Sequence, residues 1–406
     1  MIQIAVMGYG TVGSGVVEVL STNQASIDKR VGEEVRVKYV LDLRDFPGDP
    51  VESVLVHDFE TIVNDPEVKV VVEVMGGVEP AYTFTKRCLL AGKSVCTSNK
   101  ALVAAHGAEL LQIAKDKNLN YLFEASVGGG IPIIRPLQTC LTADEIVEIS
   151  GILNGTTNYI LTNMTYGGAS FDDALKDAQD KGYAERNPEA DVEGHDACRK
   201  IAILTSLVSG QRVDFEDIYT EGITKVTAED IKYADKLGRV IKLLAMSKKE
   251  ADGKYYAMVA PFLIDAANPL YNVNGVFNAI FVEGNMLGDS MFYGSGAGKL
   301  PTASAVVADI VAEAKNPHTD IMNFWTEEKL ELEKHTEITR RFLVRIQGNQ
   351  AELADCIQKD FGEVQYVNLE ELSGELGFVT PVMTEGAYLE KAKNYPQICH
   401  MLRVEE

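Results

Sequence analysis

The sequence predicts an α/β protein in which a doubly wound parallel sheet is followed by an α+β unit and a small split β-α-β unit. Three observations predict it. Ile2 to Met7 is a short apolar run stopped by glycines, and helical apolar spacing resumes from Val12 to Leu20 until Ser21 and Asn23 break it. Later strand-like runs are apolar on both faces and alternate with helical stretches, the mark of a parallel sheet covered on both sides. From about Ile338 the order becomes β-α-β-β-α-β, the ferredoxin-like arrangement.

Taken in order, Val35 to Leu41 is the second strand, and Val68 to Val74 is a near-continuous valine run. Ser94 to Thr97 and Tyr121 to Ala125 are shorter strands, separated by helices at Ala81 to Ala91 and Leu102 to Lys117. These elements place a Rossmann domain at residues 1–125. Residues 126–300 read as a second domain. It has glycines at 128–130, a strand at Ile146 to Ile152, helices at Phe171 to Lys181, His195 to Val208 and Asp230 to Ser247, and strands at Tyr255 to Ile264 and Phe277 to Gly284. The helix at Ala303 to Ala314 returns the chain to the first domain, with a charged linker over the rest of residues 301–330. Residues 335–406 form the tail unit. Its strands are Arg341 to Gln347, Val364 to Leu369, Leu376 to Val382 and Ile398 to Val404, and its helices Ala351 to Asp360 and Ala387 to Lys393. A unit that small needs docking or pairing to be stable.

Composition narrows the function. The chain has 406 residues, 46% hydrophobic and 24% charged, enough apolar side chains for several cores and too many for disorder. With 38 Lys and Arg against 60 Asp and Glu the net charge is −22, which argues against nucleic acid as a partner. Six scattered cysteines show neither a CxxC pair nor zinc-ligand spacing. No apolar stretch approaches the roughly 20 residues of a membrane span, and no basic leader precedes the first strand. A cytoplasmic enzyme with a small-molecule substrate is expected.

Gly8-Tyr9-Gly10-Thr11-Val12-Gly13 fits GxGxxG between a strand and a helix, the context in which that pattern signals a dinucleotide. Gly8 permits the tight turn, Gly10 lets pyrophosphate approach, and Gly13 allows close helix packing. The helix N-terminus supplies free N–H groups to the phosphates. Asp42 ends the second strand, where an acidic residue bonds the ribose hydroxyls of NAD. Arg44, two residues on, suits the 2′-phosphate of NADP instead, so the sequence leaves NAD and NADP open.

The densest polar stretch runs from Gly182 to Lys200 and holds Glu185, Asp191, Glu193, His195 and Asp196. Asp196 and Lys200 are four apart on a helical stretch and share a face. On spacing alone this is a helix-stabilising ion pair. The chain, however, resembles homoserine dehydrogenase over most of its length. The resemblance rests on GYGTVGSG at Gly8 to Gly15, TSNKA at Thr97 to Ala101 and EASVGGGIP at Glu124 to Pro132. It continues through GILNGTTNYIL at Gly151 to Leu161, the Gly182 to Lys200 stretch and GSGAGKLPTA at Gly294 to Ala303.

The resemblance implies NAD(P)-dependent interconversion of L-homoserine and L-aspartate 4-semialdehyde in threonine and methionine biosynthesis. Glu185 and Asp196 would hold the ammonium and hydroxyl ends of the amino acid, with Asp191 in the same loop network. Lys200 would donate the proton when the aldehyde is reduced, with Lys100 a second lysine at the reacting oxygen; the sequence does not decide which of the two gives it. Gly182 and Gly298 match positions near the cofactor. Glu124 with the carbonyls of Val127, Gly129 and Ile131 matches a structural sodium site. His195 sits where the family pattern is free and reads as a helix-start residue. The tail resembles an ACT domain, a module that binds an amino acid such as threonine as effector, although Gly348-Asn349-Gln350-Ala351 replaces its usual acidic-Pro-Gly turn. A homodimer or homotetramer is expected, and no preceding aspartokinase domain. The rival readings are another amino-acid dehydrogenase on this scaffold and a catalytically idle sensor of nucleotide and amino acid.

Overall fold

The computed structural model describes residues 1–321 and 325–405. The first unit is a six-stranded parallel sheet of β1 (Ile2–Met7), β2 (Val35–Leu41), β3 (Leu55–Val56), β4 (Val68–Glu73), β5 (Ser94–Thr97) and β6 (Tyr121–Leu122), in the order β3-β2-β1-β4-β5-β6. Its helices are α1 (Thr11–Thr22), α2 (Gln24–Val31), α3 (Phe59–Val63), α4 (Ala81–Leu90) and α5 (Lys100–Asp116). Side chains alternate between two buried faces. Ile4, Val6, Val70 and Val72 pack on one, while Ala5, Met7 and Val71 pack on the other with Leu89 and Leu102. The strand order reverses between β1 and β4, so a crevice opens at the carboxyl ends of those strands, where doubly wound sheets bind ligands.

The second unit contributes β7 (Ile146–Ile152), β8 (Tyr219–Thr220), β9 (Arg239–Lys249), β10 (Tyr255–Asp265), β11 (Phe277–Gly284) and β12 (Gly288–Ser295), covered by α6 (Gly155–Gly167), α7 (Phe171–Asp180), α8 (Glu189–Val192), α9 (His195–Ser209) and α10 (Ala228–Lys236). Strands β12-β11-β7-β9-β10 are neighbours in that order, each pair antiparallel. The helix expected over Asp230 to Ser247 is a correction: α10 stops at Lys236, Gly238 turns the chain at φ +67°, and β9 pairs with β10 from Arg239↔Asp265 to Lys249↔Tyr255. An apolar run such as Val240 to Met246 suits a buried strand as well as a buried helix, and the long β10 partner decides. The larger elements that went unforeseen are α2, restarted at Asn23; α6, rich in Thr and Asn; and the edge strand β12; the short α3 and α8 and the two-residue strands β3, β8 and, in the tail, Met383–Thr384 were unforeseen as well. The strand expected at Tyr121 to Ala125 ends at Leu122, because Glu124 to Ser126 turn into a short 3-10 helix.

Helix α11 (Lys299–Lys315) returns to the first sheet and lies on α1; at Gly15 an added Cβ would stand 2.8 Å from the Lys299 carbonyl oxygen, so glycine sets the distance between the helices. The tail adds β13 (Thr339–Gln347), α12 (Gln350–Phe361), β14 (Gln365–Val367), β15 (Glu375–Val379), β16 (Met383–Thr384), α13 (Glu385–Ala392) and β17 (Ile398–Val404). Its sheet order is β17-β13-β15-β14, and β17 runs parallel to β10 through Phe262↔Arg403 and Leu263↔Val404. Tail and second unit thus share one sheet. Among the described residues no helix is long and apolar enough to cross a membrane.

Candidate active site

The first half of the site is the glycine turn. Gly8 takes φ +100°, and a Cβ on Gly13 would lie 1.9 Å from the Gly8 carbonyl oxygen, so only glycine lets α1 start this close to β1. Gly10 is exposed at the N-cap of α1 with nothing within 4 Å of where its Cβ would be, and no side chain caps the helix. Thr11 is exposed beside it and Val12 half-buried. This is the open, uncapped cradle a pyrophosphate fits. Next to it a cavity of about 510 Å³ runs past Asp42, Arg44, Met75 and Gly76.

Asp42 and Arg44 are bonded to each other. The guanidinium places Nε 2.9 Å from one carboxylate oxygen and Nη2 3.0 Å from the other, while the Tyr9 amide donates to Asp42 at 2.8 Å. These donors, Arg44 first, hold the Asp42 carboxyl well below the usual range. A carboxylate and an exposed cation therefore meet at one end of the cavity.

The second half is a cleft of about 560 Å³ between the two sheets, reached by Val12 from the cofactor side and by Gly298 at the head of α11. Helix α9, with Gly194 at its N-cap, brings Asp196 and Lys200 to one buried face. Lys200 Nζ lies 2.7 Å from one oxygen of Asp196 and donates to the Leu153 carbonyl at 2.7 Å. Lys100, first residue of α5, brings its Nζ within 2.6 Å of the other Asp196 oxygen. One carboxylate thus holds two ammonium groups from different units. Burial penalises the Asp196 charge, but Lys200 and Lys100 outweigh that and keep its carboxyl below the ordinary range. Burial, with Lys100 nearby, pushes Lys200 down against the pull of Asp196. Asp191 is raised by burial and by Asp196.

Asn154, which caps α6, donates to Asp191 at 2.7 Å and to Asp196 at 3.0 Å, tying the two carboxylates together. In the sequence Asn154 stands out only within GILNGTTNYIL, where an Asn before Gly-Thr-Thr signals a helix cap. Glu185 lies exposed at the rim, its carboxylate without a hydrogen bond or ion pair among the described residues. Gly182 turns at φ +75° on the same rim. His195 is exposed at the start of α9, as expected.

Glu124 is buried in a ring of backbone donors. Its carboxylate accepts the amide N–H groups of Ile133, Ile134 and Arg135 at 2.6, 2.9 and 2.7 Å, and its own amide donates to Asp309 at 2.9 Å. Three amide donors thus fix the side chain, and the carbonyls of Val127, Gly129 and Ile131 follow within seven residues of it. Among the described residues no His, Cys, Asp or Glu group is clustered to hold a metal.

A dinucleotide cradle at a switch point, opening on a cleft with two lysines over one carboxylate, defines a nicotinamide-dependent oxidoreductase of a carbonyl or alcohol. Residues 132–311 match the family "Homoserine dehydrogenase" and residues 8–124 match "Homoserine dehydrogenase, NAD binding domain". The homoserine dehydrogenase of Synechocystis is 49% identical over 316 residues, 76% of this chain and 72% of that protein. That of Bacillus subtilis is 43% identical over 319 residues, 78% and 73%. Among solved structures, a homoserine dehydrogenase from Thiobacillus denitrificans aligns with a TM-score of 0.91 at 35% identity, over 100% of this chain and 98% of that one. A hyperthermophilic archaeal homoserine dehydrogenase mutant in complex with NADPH aligns at 0.66 and 30% identity, over 77% of this chain and 97% of that one. The chain belongs to the homoserine dehydrogenase family. Its reaction is NAD(P)-dependent oxidoreduction between homoserine and aspartate 4-semialdehyde, which sets aside the idle-sensor reading.

Proposed function

We propose that Lys200 and Lys100 carry the proton chemistry of this reaction, and that Asp196 holds them in place. The observation that supports this is the single Asp196 carboxylate bound to both ammonium groups in the cleft beside the cofactor cradle. The nicotinamide, when bound, supplies hydride to the aldehyde carbon or takes it from the alcohol. In the reducing direction the oxygen gains negative charge and needs a cation and a proton. Lys200 spends two of its three N–H donors on Asp196 and Leu153, which leaves the third for that oxygen. Burial pushes its pKa down, which makes its ammonium the readier proton donor, so Lys200 is assigned the proton and Lys100 the electrostatic contact. Asp196, both oxygens engaged, acts through the lysines. The rim carboxylate of Glu185 is assigned the substrate ammonium, with Asp191 in support. The phosphates are assigned to the turn formed by Gly8, Gly10, Thr11, Val12 and Gly13, with Gly182 and Gly298 at the nicotinamide end.

Replacing Lys200 by Ala is expected to abolish turnover with homoserine while leaving fluorescence titration of reduced cofactor unchanged. Turnover near the parent's would overturn the assignment.

The wider reading is also ours. Residues 1–125 form the cofactor domain, 126–300 the catalytic and dimerisation domain, 301–330 the return helix and linker, and 335–406 an ACT-like regulatory unit. The enzyme acts in threonine and methionine biosynthesis as a homodimer or homotetramer in the cytoplasm, where its cysteines, all free, stay reduced. Threonine is the effector proposed for the tail, whose strand order supports an ACT-like unit. A structural sodium ion is proposed at the carbonyls beside Glu124.

A further inference from the structure

Glu73 ends β4 wholly buried, and among the described residues no lysine or arginine pairs with it. A buried carboxylate without a cation is costly unless donors surround it. Burial pushes its pKa up, against the Thr97 hydroxyl and the Met75 amide. These, the two shortest of its hydrogen bonds, come from different segments. The Met75 N–H, just beyond β4, reaches one carboxylate oxygen at 2.8 Å, and the Thr97 hydroxyl at the end of β5 donates to the other at 2.7 Å.

The contacts continue into α5. Thr97 Oγ accepts the Asn99 N–H at 2.9 Å; Asn99 Oδ1 accepts the Leu102 N–H at 3.1 Å, and its Nδ2 donates to the Gly77 carbonyl at 2.6 Å. The first turn of α5, which begins at Lys100, is therefore fixed to the turn after β4. Met75 and Gly76 wall the cofactor cavity, and Lys100 reaches Asp196 in the catalytic cleft.

We propose that Glu73 is a positioning residue, clamping the cofactor-side turn and the Lys100 turn into one rigid unit so that hydride site and cation keep a fixed separation. The proposal rests on the reading of Lys100 as an active-site cation. Misplacing a catalytic group by about 1 Å costs up to about a hundred-fold in rate.

The test is a double-mutant cycle on the full-length enzyme, with kcat measured at saturating homoserine and cofactor. Glu73→Leu is expected to lower kcat by about ten-fold or more, and Lys100→Met to lower it as well. If Glu73 acts through Lys100, the double variant is no slower than Lys100→Met alone. Losses that multiply would overturn the proposal. An unchanged kcat in Lys100→Met would overturn the reading of Lys100 instead, and the proposal with it. Glu73→Gln, which keeps an acceptor for Met75 in the same shape, is expected to recover kcat to within about three-fold. Where Glu73→Leu does not fold, Thr97→Val takes its place in the cycle with the same expected non-additivity.

Discussion

Lys242 is a buried lysine that the mechanism does not use. It lies on β9, 2% exposed, and donates only to neutral oxygens: the Val273 carbonyl at 2.6 Å, Asn274 at 2.8 Å and Asn158 at 3.3 Å. Burial alone pushes its pKa down to about 8. Between about 8 and the ordinary 10.5 the unfolded chain holds this proton and the folded chain does not, so the contribution of Lys242 to stability grows as pH rises through that window. The urea midpoint of the parent minus that of Lys242→Met is expected to rise over the same range; a flat difference would show that burial does not shift the ammonium. At this scale the sequence was uneven. That Lys100, Asp196 and Lys200 come together was legible from the motifs that resemble a known family. Asn154 and Glu73 were not, because their meaning lies in hydrogen bonds between segments tens of residues apart.

Among elements, the strand, glycine turn and helix that open the chain were legible almost to the residue, since GxGxxG is a local rule. The same locality makes a sharp prediction. In Gly13→Ala the new Cβ meets the Gly8 carbonyl at 1.9 Å, a backbone atom that cannot swing aside, so the turn must open and the cradle with it. Reduced-cofactor affinity is expected to fall by about ten-fold or more while the far-ultraviolet circular dichroism stays that of the parent. Unchanged affinity would mean that the turn has slack. The second unit was less legible. Helix and strand compete for a run like Val240 to Met246, and the β10 partner that decides between them lies beyond any local window. Cofactor preference stayed open for a similar reason: Asp42 and Arg44 argue opposite ways in sequence, and in the fold they are one ion pair.

On the scale of the whole molecule, the tail is joined to the second unit by buried charge as well as by strands. Arg403 on β17, 1% exposed, donates to Glu385 at 2.9 and 2.5 Å and to Glu221 at 2.7 Å. Arg345 on β13 donates to Asp230 of α10 at 2.6 Å and to Glu375 at 2.7 and 2.9 Å. Removing the arginine from such a network leaves buried carboxylates, Glu385 above all, without their cation. Arg403→Ala is expected to cost about 3 kcal/mol or more, read from urea denaturation, and a loss under about 1 kcal/mol would show that the network adds little. Docking of the tail was foreseeable from its size; its docking partner was not, because Phe262↔Arg403 and Leu263↔Val404 pair segments with no shared pattern.

Glu221, the acceptor of Arg403, has a second consequence. The chain after it lies against the entrance to α9: the Ile223 amide donates to the Val192 carbonyl at 2.8 Å, and an added Cβ on Gly222 would stand 2.2 Å from that same oxygen. The tail is therefore tied through Arg403 and Glu221 to the stretch that packs against the start of α9, the helix that carries Asp196, and Gly222 leaves no room there for a side chain. Heat should find no separate melting point for the tail. A calorimetric scan is expected to show residues 335–405 unfolding in the same endotherm as the catalytic sheet, with the loss of homoserine turnover tracking that transition and no milder one before it.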